Sequence, residues 1–441
     1  MNAIIALLSI IFITIIGYTV LLVSTLKSKN EKLQTLSLSY GLGVGLIAVQ
    51  LFIYSRLQIP WQKELLIIPW LIIFILAIVL KYKKLETKKK IKYLKLPRIS
   101  RTQIILLAGI LLTIAYTTFE ALIRPVTVWD AWATWLLESK VFFIDGKIIP
   151  EVFTYITSDY PLVFKLLGTY IYICLGKVDD TAVLLISVAF YIFLGLLFFS
   201  ALKKKYGTTF ALLFTLILLT IQNFVRHGGR MEAGIADLPL GYYFFACTLL
   251  FLEYLKKSTV KKLLLLNIFL GITVLIKSEG LPFAFIISLI TIYHIYKERL
   301  FKHIPLLFLW TLPYIDWKIF RKINNLEEVY YASHPIEISA SKTINAIWGT
   351  TKELINIKTW NLLWITYVYT IFIKNFRKNK EYTIINILIL SQFTMYMCMY
   401  LFTFGNNPET SIERLLIHLA PLALYYIASV TSQFLENGSH K

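Results

Sequence analysis

Charged residues are scarce in this chain. They make up 16% of its 441 residues, while 57% are hydrophobic and the mean hydropathy is +0.68. A soluble globular domain carries about a quarter charged residues, so a water-soluble fold is excluded. Acids are scarcer still, with 25 Asp and Glu against 45 Lys and Arg, giving a net charge of +20. Such an excess would suit a nucleic-acid partner, but the lysines lie in short clusters between apolar runs. That is the pattern of cytoplasmic loops under the positive-inside rule, and nucleic acid is set aside. Cysteine is almost absent. Cys174, Cys247 and Cys398 are far apart within apolar sequence, where they read as small buried hydrophobes and imply no disulfide, zinc site or redox pair. HExxH, GxSxG, Walker-type and dinucleotide glycine patterns are missing, as are clustered Cys/His ligands. No period of 20 to 50 residues marks a solenoid. The first segment lacks both a basic leader and a small-residue cleavage site, so it reads as a retained span.

What the chain has instead is apolar runs. A spanning helix needs about 20 mostly apolar residues, and the expected fold is an all-α polytopic membrane protein of about 13 transmembrane helices. The expected spans are 3–25, 36–58, 64–80, 103–123, 180–202, 208–223, 237–255, 263–276, 281–296, 304–316, 359–373, 382–403 and 414–432. Between Lys81 and Arg101 ten basic residues face the single acid Glu86, which fixes that segment as cytoplasmic. The span at 103–123 then delivers the chain to the outer face, into an acidic, Trp-rich loop from Arg124 to Pro161. The run 161–176 is too short to cross. Lys165, Gly168, Thr169 and Tyr172 form a polar stripe on it at helical spacing, so it is expected to lie as an interfacial helix on the outer surface. With that choice the basic clusters 203–205, 256–262, 297–302 and 374–380 all fall inside.

Ionisable residues on the rim of an apolar bundle are costly to hold there and are functional candidates for that reason. Asp130, in WDAWATW, shares a helical face with Thr134 and Glu138. It is either a carboxylate held over the bilayer toward a lipid-borne substrate or a solvated charge beside an aromatic belt. Asp237, in ADLPLG, either caps the next span or belongs to a site. Lys277 and Glu279 form a hairpin short enough to sit at the bundle mouth, where Lys277 either marks the turn or meets a phosphate. Arg414 enters the last span with His418 one turn deeper, and His418 is either a packing residue or a ligand. Arg230 is a further anion contact. Asp159 and Tyr160 head the interfacial helix, and the long loop 317–358 holds Glu327, Glu328, Tyr330 and His334.

The order of these features resembles the GT-C superfamily of membrane glycosyltransferases, such as protein O-mannosyltransferases and lipid A aminoarabinose transferases. The resemblance rests on Asp130 in WDAWATW, the step Asp159-Tyr160-Pro161-Leu162, Gly176, the stretch Ala236 to Leu240, and Glu413-Arg414 with Pro421. It covers residues 103–432, so 1–101 reads as a three-span extension and 102–441 as the catalytic module, with 124–176 as its outer loop and interfacial helix. Ala131 stands where many members have a second acid, and Asp-Tyr-Pro where several have His-Pro-Pro. The resemblance implies transfer of a sugar from a polyprenyl-phosphate-type donor to a glycan, lipid or protein acceptor. The reaction would take place on the extracytoplasmic face of the plasma membrane, with inversion. Asp130 would be the general base and Asp237 would orient it or the acceptor. Lys277, Arg414 and Arg230 would take the donor phosphate, and Glu138, Asp159, Tyr160, Glu279 and His418 would contact substrate. No cofactor is required by the pattern; a divalent metal would have a role at the phosphate. A transporter or lipid-carrier flippase and a noncatalytic member of the same fold are the competing expectations.

Overall fold

The computed structural model describes residues 1–23, 32–85, 99–154, 160–326, 339–373, 379–402 and 408–438, and regular structure among them is helical. The chain opens with α1 (Asn2–Val23), α2 (Lys32–Arg56), α3 (Lys63–Leu85) and α4 (Arg101–Ile123). A wide π-type turn over Asp130–Trp135 runs into α5 (Leu136–Asp145), and a 3-10 turn at Pro150–Thr154 precedes α6 (Val163–Leu175). Next come α7 (Asp180–Val183), α8 (Leu185–Tyr206), α9 (Thr208–Thr220), α10 (Gln222–Gly229), α11 (Asp237–Lys256), α12 (Val260–Ile276) and α13 (Gly280–Lys297). The chain continues with α14 (Thr311–Ile323), α15 (Ala340–Leu354), α16 (Ile357–Trp360), α17 (Leu363–Ile371), α18 (Lys380–Phe402) and α19 (Pro408–Gly438). Helix is the conformation that satisfies every backbone polar group within one segment, as an apolar surrounding demands.

Local chemistry sets the ends of several helices. Ser100 and Gln103 form a reciprocal capping box at the start of α4. Gly207, at φ +85°, separates α8 from α9.

Among the described residues nine helices are long and apolar enough to cross a membrane, and α9 with α10 makes a tenth if that pair, bent by 69°, counts as one span. The chain is therefore a multi-pass membrane protein, and among the described residues nine or ten of the 13 expected spans are matched by a helix, or bent pair, of that length. The run 304–316 does not form one helix. It divides into a 3-10 turn at Phe301–Leu306 containing Pro305, and α14, which carries Asp316, Lys318, Arg321 and Lys322. The run 359–373 divides into α16 and α17, of four and nine residues, with Asn361 at φ 54° between them. The helix expected at 263–276 forms as α12, with 17 residues. Much of the basic 81–101 segment and the loop at 327–338 lie outside the described residues.

α11 and α19 are the axis of the bundle: 89% and 94% of their spans are buried, against 11% for α3 and 22% for α4. Gly241 lets these two helices meet, since a Cβ there would lie 3.0 Å from the Ile417 carbonyl oxygen. α1 and α2 also pack into the bundle, against α6 and α8. Tyr242 and Tyr243 on α11 donate to the carbonyls of Ser37 (2.6 Å) and Gly41 (2.7 Å) on α2.

The short helix α6 does not lie on the surface. Every residue from Val163 to Cys174 is buried. Its polar stripe is satisfied inside the protein: Lys165 pairs with Glu138, Thr169 donates to the Ser139 carbonyl, and Tyr172 donates to Asp180 at 2.8 Å. A stripe that read as a water-facing side is a set of interior contacts.

Along α2 the glycines of YGLGVGL serve opposite neighbours. A Cβ on Gly43 would lie 1.9 Å from the Ile13 carbonyl oxygen of α1, and one on Gly45 would lie 2.4 Å from Ile272 of α12. Small residues of this kind let membrane helices approach backbone to backbone. Gly43→Val should force α1 from α2 and destabilise the protein by about 1–3 kcal/mol. Leu112→Ala, on an exposed part of α4, should change stability by less than about 0.5 kcal/mol. Unfolding in mixed micelles measures both.

Candidate functional site

The α11–α19 crossing brings Asp237, at the first residue of α11, against Arg414 and His418, which are one turn apart on α19. Asp237 has no exposed surface. The cap of α11 is Ala236, which makes no side-chain cap, and the Asp237 carboxylate turns instead to three partners. Lys277 Nζ lies 2.7 Å and His418 Nε2 3.1 Å from Oδ1, while Arg414 Nε and Nη2 are each 3.0 Å from Oδ2. Removing one partner of such a buried set strands a charge at a cost of about 3–5 kcal/mol.

Each partner carries its own support. Lys277, in the hairpin between α12 and α13, also meets Glu279 at 2.8 Å. Burial works against its charge, but Asp237 and Glu279 outweigh it and hold the ammonium above the ordinary lysine range. The Tyr160 ring lies 5.8 Å from Lys277 Nζ and packs on Trp135. The Gln392 side chain donates to the Glu279 carbonyl at 3.1 Å. A carboxylate only accepts, so His418 presents Nε2–H to Asp237, and its Nδ1 accepts the Tyr396 hydroxyl at 2.8 Å. Asp130 joins from outside: Arg414 Nη1 donates to its Oδ2. The turn at Gly234 holds the Asp130 segment close to the start of α11, because a Cβ on Gly234 would lie 3.3 Å from the Ala131 methyl.

Asp130, Asp237, Lys277, Arg414, Tyr160, Glu279 and His418 therefore form one group. Two candidates stand elsewhere. Arg230 is 3.9 Å from Glu120, which Arg124 already binds. Glu138 is fully buried in an ion pair with Lys165. The wide turn at Asp130–Trp135 changes the helical register, so Asp130 and Glu138 do not share a face as regular helical spacing implied. Trp135 and Leu136 are likewise buried, while Trp129 and Trp132 are exposed. Asp159 lies outside the described residues.

Sequence reasoning missed Tyr396, one tyrosine in an apolar run full of them. It also missed Arg226, which bridges Glu232 and Glu413 beside Arg414. The bracket of Arg226 and Glu232 around the end of α10 at Gly228-Gly229 was the available signal.

Beside the charged group is a cavity of about 260 Å³, lined by Glu279, Tyr314, Trp317, Lys318, Arg321 and Tyr396 among others. Trp317 also lines a second, apolar cavity of about 360 Å³ walled by Phe52, Ile53, Leu162 and Leu166. Val49, Val163, Leu275 and Pro313 pass from that cavity into a third of about 200 Å³. The first cavity mixes Glu279, Lys318 and Arg321 with Leu281, Pro282, Met395 and Met399, whereas the other two are lined mostly by apolar side chains. Among the described residues no cluster of three or more His, Cys, Asp or Glu has the arrangement of a metal site. Asp237, the central acid, has both oxygens engaged by Lys277, His418 and Arg414, so this donor set does not fit a metal.

No family model, curated protein or solved structure matches this chain.

The Glu138–Lys165 pair is tied to the site as well. Lys165 Nζ donates to the Tyr160 carbonyl at 3.0 Å and lies 4.8 Å from the Phe153 ring. Burial pushes the Glu138 carboxyl up to about 7, with Lys165 pulling the other way. A raised carboxyl means the folded state holds more protons than the unfolded one. That contribution to stability is complete below about pH 4.5 and is lost as pH rises through about 7. Thermal unfolding between pH 4.5 and 7.5 should show this fall in the wild type and a flatter profile in Glu138→Gln. Lys165→Met alone should cost about 3–5 kcal/mol by stranding the acid, and Glu138→Gln/Lys165→Met should recover part of it.

Proposed function

We propose that the chain is a membrane glycosyltransferase that moves a sugar from a polyprenyl-phosphate-type donor to an acceptor on the extracytoplasmic face. One observation carries the reading. Lys277 and Arg414 converge on buried Asp237, Arg414 also reaches the more exposed Asp130, and Glu279, the second partner of Lys277, lines a cavity of mixed polarity that shares Trp317 with an apolar groove. The groove suits a lipid tail, the two cations suit the phosphate, and the chamber lined by Tyr314, Trp317 and Glu279 suits a sugar.

The chemistry follows from charge. As the anomeric C–O bond breaks, the leaving phosphate gains negative charge, and Lys277 and Arg414 stabilise it in a water-poor site. Asp130 takes the proton from the acceptor hydroxyl or amine as that group attacks the anomeric carbon in line. A single displacement inverts the centre. Asp237 is positioned to hold both cations and His418 and needs no proton transfer of its own. The order of WDAWATW, Asp159 to Leu162, Ala236 to Leu240 and Glu413-Arg414 along the chain, which together resembles GT-C enzymes, supports the same assignment.

Sidedness is supported by α11 itself. Asp237 stands at one end, and Lys256 at the other meets Glu381 together with Lys205. Under the positive-inside rule the lysine end is cytoplasmic and the Asp237 end extracytoplasmic. A transporter or noncatalytic carrier-binding protein would use the same groove and cations but has no use for a base at Asp130.

In membranes supplied with candidate polyprenyl-phosphate sugars, Asp130→Asn should slow product formation by about 10²–10⁴-fold while leaving the protein folded. Product measured by mass spectrometry at the wild-type rate would remove Asp130 as the base, whereas no product from the wild type itself would favour the carrier-binding alternative.

A further inference from the structure

Arg414 is shared between two carboxylates that differ in almost every physical respect. Toward the interior, Nε and Nη2 lie 3.0 Å from Asp237 Oδ2, and Asp237 is also fixed by Lys277 and His418. Toward the outside, Nη1 meets Asp130. The Asp237 side chain is fully buried, whereas the Asp130 side chain is 33% exposed and that of Arg414 24%. Among the described residues Asp130 has no other ionic or hydrogen-bonding partner for its side chain. Breaking the inner contact would strand a buried charge. Breaking the outer one costs little, because water can solvate Asp130. The exchangeable contact is the one at Nη1.

Arg414 Nη1 occupies Asp130 Oδ2, where the proton of an acceptor hydroxyl or amine would otherwise be received. In the arrangement seen, the group assigned as base is masked by a cation assigned to the leaving phosphate. We propose that Arg414 is a ligand-operated latch: a lipid-borne phosphate takes the Nη1 edge of Arg414 from Asp130, and only then is Asp130 released to act as a base. The inference rests on the lipid-phosphate reading above and adds an order to it, donor before acceptor. The anchor at Asp237 keeps the arginine in place while its outer edge changes partner. A guanidinium can do this because its donors point in separate directions in one plane, which a lysine ammonium on a single stem does not reproduce.

The test is a binding cycle on the purified full chain in nanodiscs, with decyl phosphate as the probe and titration calorimetry at constant ionic strength. Because Asp130 competes with phosphate for Arg414, Asp130→Asn should tighten decyl phosphate binding by about three- to fivefold, the range of a partly exposed ion pair. Arg414→Gln should weaken binding, and adding Asp130→Asn to it should then change affinity by less than about twofold, since the competition is gone. If Arg414→Gln does not fold, the cycle is run on Arg414→Lys. That variant keeps a charge for Asp237 but cannot span both acids, and it should likewise blunt the effect of Asp130→Asn.

Unchanged or weaker binding by Asp130→Asn overturns the latch. Equal tightening in the Arg414 variants also overturns it, because that result is long-range repulsion alone. If decyl phosphate binds the wild type and loses affinity in the Arg414 variants while Asp130→Asn does not tighten it, the latch fails and the phosphate site stands. If it binds none of the proteins, both fail.

Discussion

A carboxylate with no exposed surface inside a bundle of apolar helices has to be neutralised where it stands, and Asp237 is neutralised by the α12–α13 hairpin and α19 together. That requirement organises the protein. Lys277 must be delivered by a hairpin short enough to reach α11, Arg414 and His418 must share a face of α19, and α11 and α19 must cross closely at Gly241. The surrounding aromatic packing, including Phe244 stacked on Phe283 at 3.9 Å, fills the space around that crossing. The same crossing places Asp130 within reach of Arg414, so the stability of the axis and the geometry of the site depend on one set of ions.

Much of this was legible in the sequence because rare residues are informative in an apolar chain. Asp237 stands at a helix start, Lys277 and Glu279 in a tight hairpin and Arg414 near the start of the last span, and once the helices are threaded alternately these positions fall on one rim. Asp130 was legible for the same reason. The failures have physical causes too. Apolar run length does not separate a full span from a pair of half-helices, so 304–316 and 359–373 read as spans although Pro305 and Asn361 break them. The stripe on α6 implied water because hydropathy cannot tell a polar side chain facing solvent from one facing a buried partner such as Glu138. Tyr396 gave no signal at all, since its role depends on where His418 Nδ1 points.

The glycine pattern of α2 shows how the first spans enter the same scheme. Gly41, Gly43 and Gly45 alternate faces, so the helix is approached closely on both sides. α2 in turn supplies Ala48, Phe52 and Ile53 to the apolar cavity and the Ser37 and Gly41 carbonyls to the tyrosines of α11. The groove assigned to the lipid tail is therefore built jointly by the first spans and by the later helices α6, α12 and α14.

Where the charges sit also bears on how a substrate would reach them. A transported solute needs a site open in turn to both sides. Here the ions cluster at one end of α11 and α19, and the opposite end is closed by Lys205 and Lys256 on Glu381, with Tyr425 packed between Phe198 and Phe245. The interior between the two ends is filled by buried aromatics of α11 and α19, among them Phe244, Phe245, Tyr425 and Tyr426. The apolar cavities lie to one side, between α2, α6, α12 and α14, and approach the site through Trp317. In the reading proposed above, a ligand would arrive laterally with its tail in the groove and its charged head near Glu279, the partner of Lys277. A lipid-linked phosphate has that shape, and a small soluble solute crossing the membrane does not.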